Sequence, residues 1–218
     1  MFRRNALLLL AALIAVTAIY FPRTAQEPEL PNEYHGRNNT VLFLSNGDSG
    51  LANVALATSH ALISEHGDIE VHYGTFKKFE QRIQRLNKSA KKAVAGAGSI
   101  KFHEFSGLDF EDTLKKQGQG LDETVHRHGI EGFEKLRGNI NKFMVPWTGP
   151  DYLDLYTQSV ALIERVDPAV VVVESLFFPG VDAVRALGRR EVILTPNSLK
   201  DAFADSQPWL SIFWKYPL

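Results

Sequence analysis

The apolar positions of this chain fall into short β-branched runs separated by stretches with helical spacing. The clearest run is Val170–Val173, four β-branched residues with no polar alternation. It is short enough for a strand and apolar enough to be covered on both faces, as central parallel strands are. It ends on Glu174. Pro179 then opens a pattern in which Val181, Val184 and Leu187 share one helical face, with Asp182 near the positive end of the helix. In an open α/β sheet, ligands bind outside the carboxyl ends of the strands, where Glu174 stands. A helix cap or an arginine partner is the alternative reading of Glu174.

The same pattern recurs along the chain. Val41–Leu44 reads as a buried strand followed by the turn-rich loop Ser45-Asn46-Gly47-Asp48-Ser49-Gly50, then a helix to about Glu65. Ile69–Tyr73 and Ile100–Phe105 read as strands flanking a basic helix over Lys77–Val94, whose inner face is Phe79, Ile83 and Leu86. The stretch from Asp109 to about Phe143 is helical but interrupted, and Tyr152–Val166 is a clean amphipathic helix. Val192–Thr195 is a fifth strand. Strands alternating with helices predict an α/β fold: a Rossmann-like parallel sheet with helices on both faces.

The N-terminal stretch is different. Residues 1–21 carry Arg3 and Arg4 before an uncharged apolar run, Ala6–Phe21. At 1.5 Å per residue the run reaches roughly 24 Å, slightly short of a bilayer core of about 30 Å. It predicts a hydrophobic helix, either a signal anchor or a signal peptide cut near Val16-Thr17-Ala18. Residues 22–39, with Pro22, Pro28, Pro31 and Gly36, read as a linker, so the folded domain is expected over 40–218. The expected location is therefore the endomembrane system, on either side of the bilayer.

Composition narrows the chemistry. The 218 residues contain no cysteine, which excludes thiolate metal sites and a cysteine nucleophile. A net charge of −1 gives no general pull toward nucleic acid, and no nucleic-acid partner is expected. The seven histidines lack metal-ligand spacing: His60, His66 and His72 are six apart, and His126 and His128 are two apart. No metal site is expected. The loop Ser45–Gly50 lacks the G-x-G-x-x-G spacing of dinucleotide folds, and the chain has no P-loop or G-x-S-x-G elbow. The basic stripe Lys77, Lys78, Arg82, Arg85, Lys88, Lys91 and Lys92 reads as a solvated face or an anionic-membrane contact. Asn38-Asn39-Thr40 and Asn87-Lys88-Ser89 are glycosylation sequons.

Three segments carry a family resemblance. VLFLSNGDSGLANVALATSHALISEHGDIEVHYGT resembles the opening of the UDP-glycosyltransferase family in its fungal, membrane-anchored branch. VVVVESLFFPGVDAVRALGRREVILTPNS resembles a later strand–loop–helix–strand, and DSQPWLSIFWKYP resembles the aromatic segment that follows. The resemblance implies the N-terminal, acceptor-binding half of a GT-B fold. A donor-binding domain would hold the UDP-sugar co-substrate, and this chain binds no cofactor of its own.

Members of the family transfer a hexose with inversion, using a first-loop histidine as base and an acidic residue to orient it. The acidic position matches Glu174. The histidine position falls at Gly50 or Leu51, which leaves Asp48 as the expected catalytic substitute beside Glu174. Asn46, Ser49, Gly50, Phe177, Phe178, Asn197, Trp209 and Trp214 are the expected acceptor-binding residues. Their aromatic content suits a hydrophobic or lipid-like alcohol. Two alternatives stay open: a non-catalytic, membrane-anchored subunit that recruits a separate donor-binding chain, and a truncated gene product without function.

Overall fold

The computed structural model describes residues 36–118 and 129–196. Five strands are linked by helices: β1 (Arg37–Leu44), α1 (Ser49–Glu65), β2 (Glu70–Phe76), α2 (Glu80–Ala93), β3 (Ile100–Phe105), α3 (Phe110–Lys116), α4 (Ile130–Met144), α5 (Gly149–Val166), β4 (Pro168–Glu174), α6 (Phe178–Ala186) and β5 (Glu191–Leu194). They form one sheet in the order β3-β2-β1-β4-β5, with every neighbouring pair parallel. This is the Rossmann-like arrangement that the apolar runs predicted.

Side chains alternate across the sheet with the period of two that a strand imposes. Leu42, Leu44, Val171 and Val173 face one core with Leu155, Leu162 and Ile163 of α5 and Val181 and Val184 of α6. Phe43, Val71, Tyr73 and Val172 face the other with Ala52, Leu56 and Ile63 of α1 and Ile83 of α2. Both faces are covered, so the run Val170–Val173 has no polar alternation to show.

Three boundaries differ from the sequence reading. β1 begins at Arg37 rather than Thr40, because the Arg37 N–H donates to the Asp167 carbonyl at 2.6 Å and draws this end of the linker into the sheet. Gly36 allows that approach: it has φ +116, and a Cβ there would lie 2.1 Å from the Pro168 carbonyl oxygen. The basic helix opens with a 3-10 turn over Lys77–Phe79 before α2 begins. α5 begins three residues early, at Gly149, with Thr148 as its N-cap and Pro150 in the first turn.

The sequon at Asn87 is used structurally. Its side-chain amide donates to the Ile100 carbonyl at 3.0 Å and accepts from the Ile100 N–H at 2.8 Å, tying α2 to the start of β3. Among the described residues no helix is long and apolar enough to cross a membrane. The expected hydrophobic helix within 1–21 lies outside the described residues.

Candidate active site

The parallel sheet places the loop after β1 and the loop after β4 at the same edge. β1 and β4 are neighbours with Leu44 opposite Val173, so Ser45 and Asn46 leave the sheet beside Glu174. Glu174 is 1% exposed, although it is a carboxylate. Its Oε1 accepts from the Leu176 N–H at 2.7 Å and from the Ser175 hydroxyl at 3.3 Å. Its Oε2 is buried without a partner. Burial pushes the Glu174 carboxyl up from 4.5 to about 7, and the charge of Asp48 adds to the rise. The Leu176 N–H, the Ser175 hydroxyl and the Asn46 backbone N–H pull the other way without cancelling it.

The first loop is held from three sides. Asn46 is fully buried, and its Oδ1 accepts from the Asp48 N–H at 2.8 Å. Its carbonyl accepts from the Phe110 N–H at 3.2 Å, which fixes the loop to α3. Gly47 turns with φ +80, and a Cβ there would meet the Phe76 ring at 2.9 Å and Asp109 Cβ at 3.1 Å. Beneath the loop, the Tyr73 hydroxyl donates to Ser45 Oγ at 3.3 Å, and Ser45 donates to Thr75 at 3.1 Å. Buried Asp109 caps α3 through the Asp112 N–H and pairs with Lys78 at 2.6 Å.

Asp48 proves to be the N-cap of α1. Its Oδ1 accepts from the Gly50 N–H at 2.9 Å and the Leu51 N–H at 3.1 Å. That engagement explains the aspartate by helix chemistry alone. Gly50 is exposed at the start of the helix, and the Ser49 backbone opens it.

Phe177 is fully buried, packed edge-on to Trp147 at 6.1 Å and tilted against Phe105 at 5.6 Å. Its ring supports the loop after Glu174 from below instead of offering a face to solvent. Phe178, one residue on, is half-buried. Asn197, Trp209 and Trp214 lie outside the described residues. The geometry thus unites Glu174, Asn46, Asp48, Ser49 and Gly50 at one edge. Sequence reasoning missed Ser45, Tyr73 and Thr75, whose only signal was polar residues at the ends of apolar strands.

No protein-family model matches the chain. Along the sequence it is 28% identical over 191 residues to the glycosyltransferase sdnJ of Sordaria araneosa, covering 84% of this chain and 37% of that protein. The chain is similar to a glycosyltransferase along most of its length. It spans little more than a third of that relative.

Solved structures similar to it include the glycosyltransferase SsfS6 of Streptomyces sp. SF2575, with TM-score 0.46 and 18% identity over 72% of this chain and 39% of that one. Another is CalG4, the calicheamicin glycosyltransferase, with TM-score 0.46 and 13% identity over 82% and 43%. VinC in complex with DTDP aligns with TM-score 0.43 and 16% identity over 72% and 34%. The sheet order, and not these alignments, defines the fold.

Proposed function

We propose that this chain is the acceptor-binding part of a UDP-sugar-dependent glycosyltransferase that moves a hexose, with inversion, onto a hydrophobic or lipid-like alcohol. The observation that carries the reading is Glu174: a buried carboxyl with one unpaired oxygen, beside the first loop, in a chain similar to sdnJ over 84% of its length. An alcohol attacks poorly unless a base within hydrogen-bond reach removes its proton, and the carboxyl edge of a parallel sheet is where such a base is presented. The donor sugar nucleotide belongs to a second domain. Residues 1–21 would tether the assembly to a membrane.

A second reading is a non-catalytic subunit that holds a separate donor-binding chain. Gly50 and Leu51, standing where the resemblance places a histidine, favour it.

The test is to incubate the chain with radiolabelled UDP-glucose and dodecanol, a sterol or a phenol, alone and with a donor-binding half supplied in trans. The expected result is no product from the chain alone, product with the donor half, and loss of that product in Glu174→Ala. Turnover by the chain alone overturns the division of labour. Failure of the donor half to restore transfer overturns the enzymatic reading. Product that survives Glu174→Ala favours the recruiting subunit.

A further inference from the structure

Five buried side-chain atoms among the described residues lack a hydrogen-bond partner, and two of them sit together at the proposed site: Asn46 Nδ2 and Glu174 Oε2. One is a donor and the other an acceptor. Each orphaned group costs roughly 1–3 kcal/mol, so two side by side mark a place shaped for something else. The amide cannot turn to satisfy itself without losing the bond between its Oδ1 and the Asp48 N–H. Glu174 is likewise fixed, because its Oε1 is held by Leu176 and Ser175. A hydroxyl group complements this pair: its oxygen accepts from the amide while its hydrogen goes to the carboxylate.

Asp48 does not compete for the role. Its Oδ1 is committed to two backbone N–H groups at the start of α1. Neither Gly50 nor Leu51 has a side chain that takes a proton.

We propose that Glu174 Oε2 itself removes the proton of the acceptor hydroxyl, with Asn46 Nδ2 donating to the same hydroxyl oxygen; this rests on the glycosyltransferase reading above. The proton moves to Oε2. The hydroxyl oxygen uses its lone pair to form the new C–O bond at the anomeric carbon of a nucleotide sugar. The bond from that carbon to the diphosphate breaks, and the nucleoside diphosphate leaves with the electron pair. Glu174 returns its proton to water after the product departs. A carboxyl held near neutral pH by burial is a far better base than an exposed one, and general-base catalysis is typically worth 10²–10⁴-fold.

Two measurements test this. The first is a ¹³C NMR titration of the chain carrying carboxyl-labelled glutamate, with the Glu174 signal assigned by Glu174→Gln. A midpoint near 7 is expected, moving upward in Asn46→Asp, where a second carboxylate stands beside the first. A midpoint in the ordinary range, about 4.3, overturns the proposal.

The second uses the chain with a donor half in trans. Glu174→Gln should lower kcat about 10²–10⁴-fold. The acid limb of kcat/KM should follow the NMR midpoint in the unsubstituted chain and in Asn46→Asp. Asp48→Asn should leave that limb in place. Transfer that survives Glu174→Gln with its pH profile intact sinks this proposal alone. Absence of transfer by the unsubstituted chain sinks the parent reading, and this one with it.

Discussion

At the scale of the residue, Glu174 and Asp48 show how two carboxylates a few ångströms from one another acquire different work. Asp48 sits at a helix start and satisfies N–H groups that have no helical acceptor. Asp48→Ala should cost about 0.5–2 kcal/mol in urea unfolding, whereas Asp48→Asn, an equally good cap, should cost a few tenths. A large loss in Asp48→Asn would show that the charge and not the cap matters.

Glu174 is the opposite case. Its folded pKa of about 7 lies above the ordinary 4.5, so the fold prefers it protonated. The stability tied to it is complete below pH 4.5 and falls as pH rises toward 7, by roughly 3 kcal/mol. Glu174→Gln should therefore be more stable than the parent at pH 8 and nearly equal at pH 4.5. Unfolding curves at those two values check it. Equal stability at both would mean that the carboxyl is solvated.

At the scale of the element, much was legible in advance. The five strands stand out because parallel strands buried on both faces cannot carry polar alternation, and Val41–Leu44 and Val170–Val173 have none. Adjacency of the first loop and Glu174 follows from the same logic, since both leave parallel strands in one direction. The functions of Asp48 and Phe177 were not legible. The cap depends on where a helix starts to within one residue, and the burial of Phe177 depends on Trp147 and Phe105, distant in sequence.

Helix-to-sheet spacing was also hidden. Gly74 in β2 lies under α5, and a Cβ there would sit 2.6 Å from Leu162 Cδ2 and 3.0 Å from both Leu44 Cδ2 and the Phe105 ring. Gly74→Ala should destabilise by about 1–3 kcal/mol, because three packed side chains must shift. A neutral effect in chemical denaturation would show that α5 has room to move.

At the scale of the whole molecule, a second titrating group opposes Glu174 from the far end of the sheet. His72 and His103 stack with ring centroids 5.0 Å apart, and His72 Nδ1 lies 2.7 Å from His103 Nε2. The pair escaped the sequence reading because its members are neighbours across two strands, not along one helix. His72 Nε2 is 2.9 Å from Glu70 on β2, and Arg165 of α5 approaches the far side of His103. Arg37 of β1 and Lys101 of β3 both bond to Glu70.

Burial, more than the surrounding cations, lowers both histidines, His103 to about 4. A lowered imidazole stabilises the fold fully above 6.5 and loses that contribution as pH falls toward 4. Tm should therefore peak between the two limbs. The alkaline fall should vanish in Glu174→Gln, and the acid fall should become shallower in His103→Phe. A Tm profile that keeps both limbs in both variants would assign them elsewhere.

The pairing of β1 with β4 also governs time. Leu44 and Val173 are separated by more than half the chain, and the loop between them must close before they meet. Closure over such a distance slows folding more than it weakens the folded state. β1, β2 and β3, joined through α1 and α2, are free to assemble first. The edge where Asn46 meets Glu174 is then completed last, so during refolding the neutral titration of Glu174 should arise after most of the helical signal has formed.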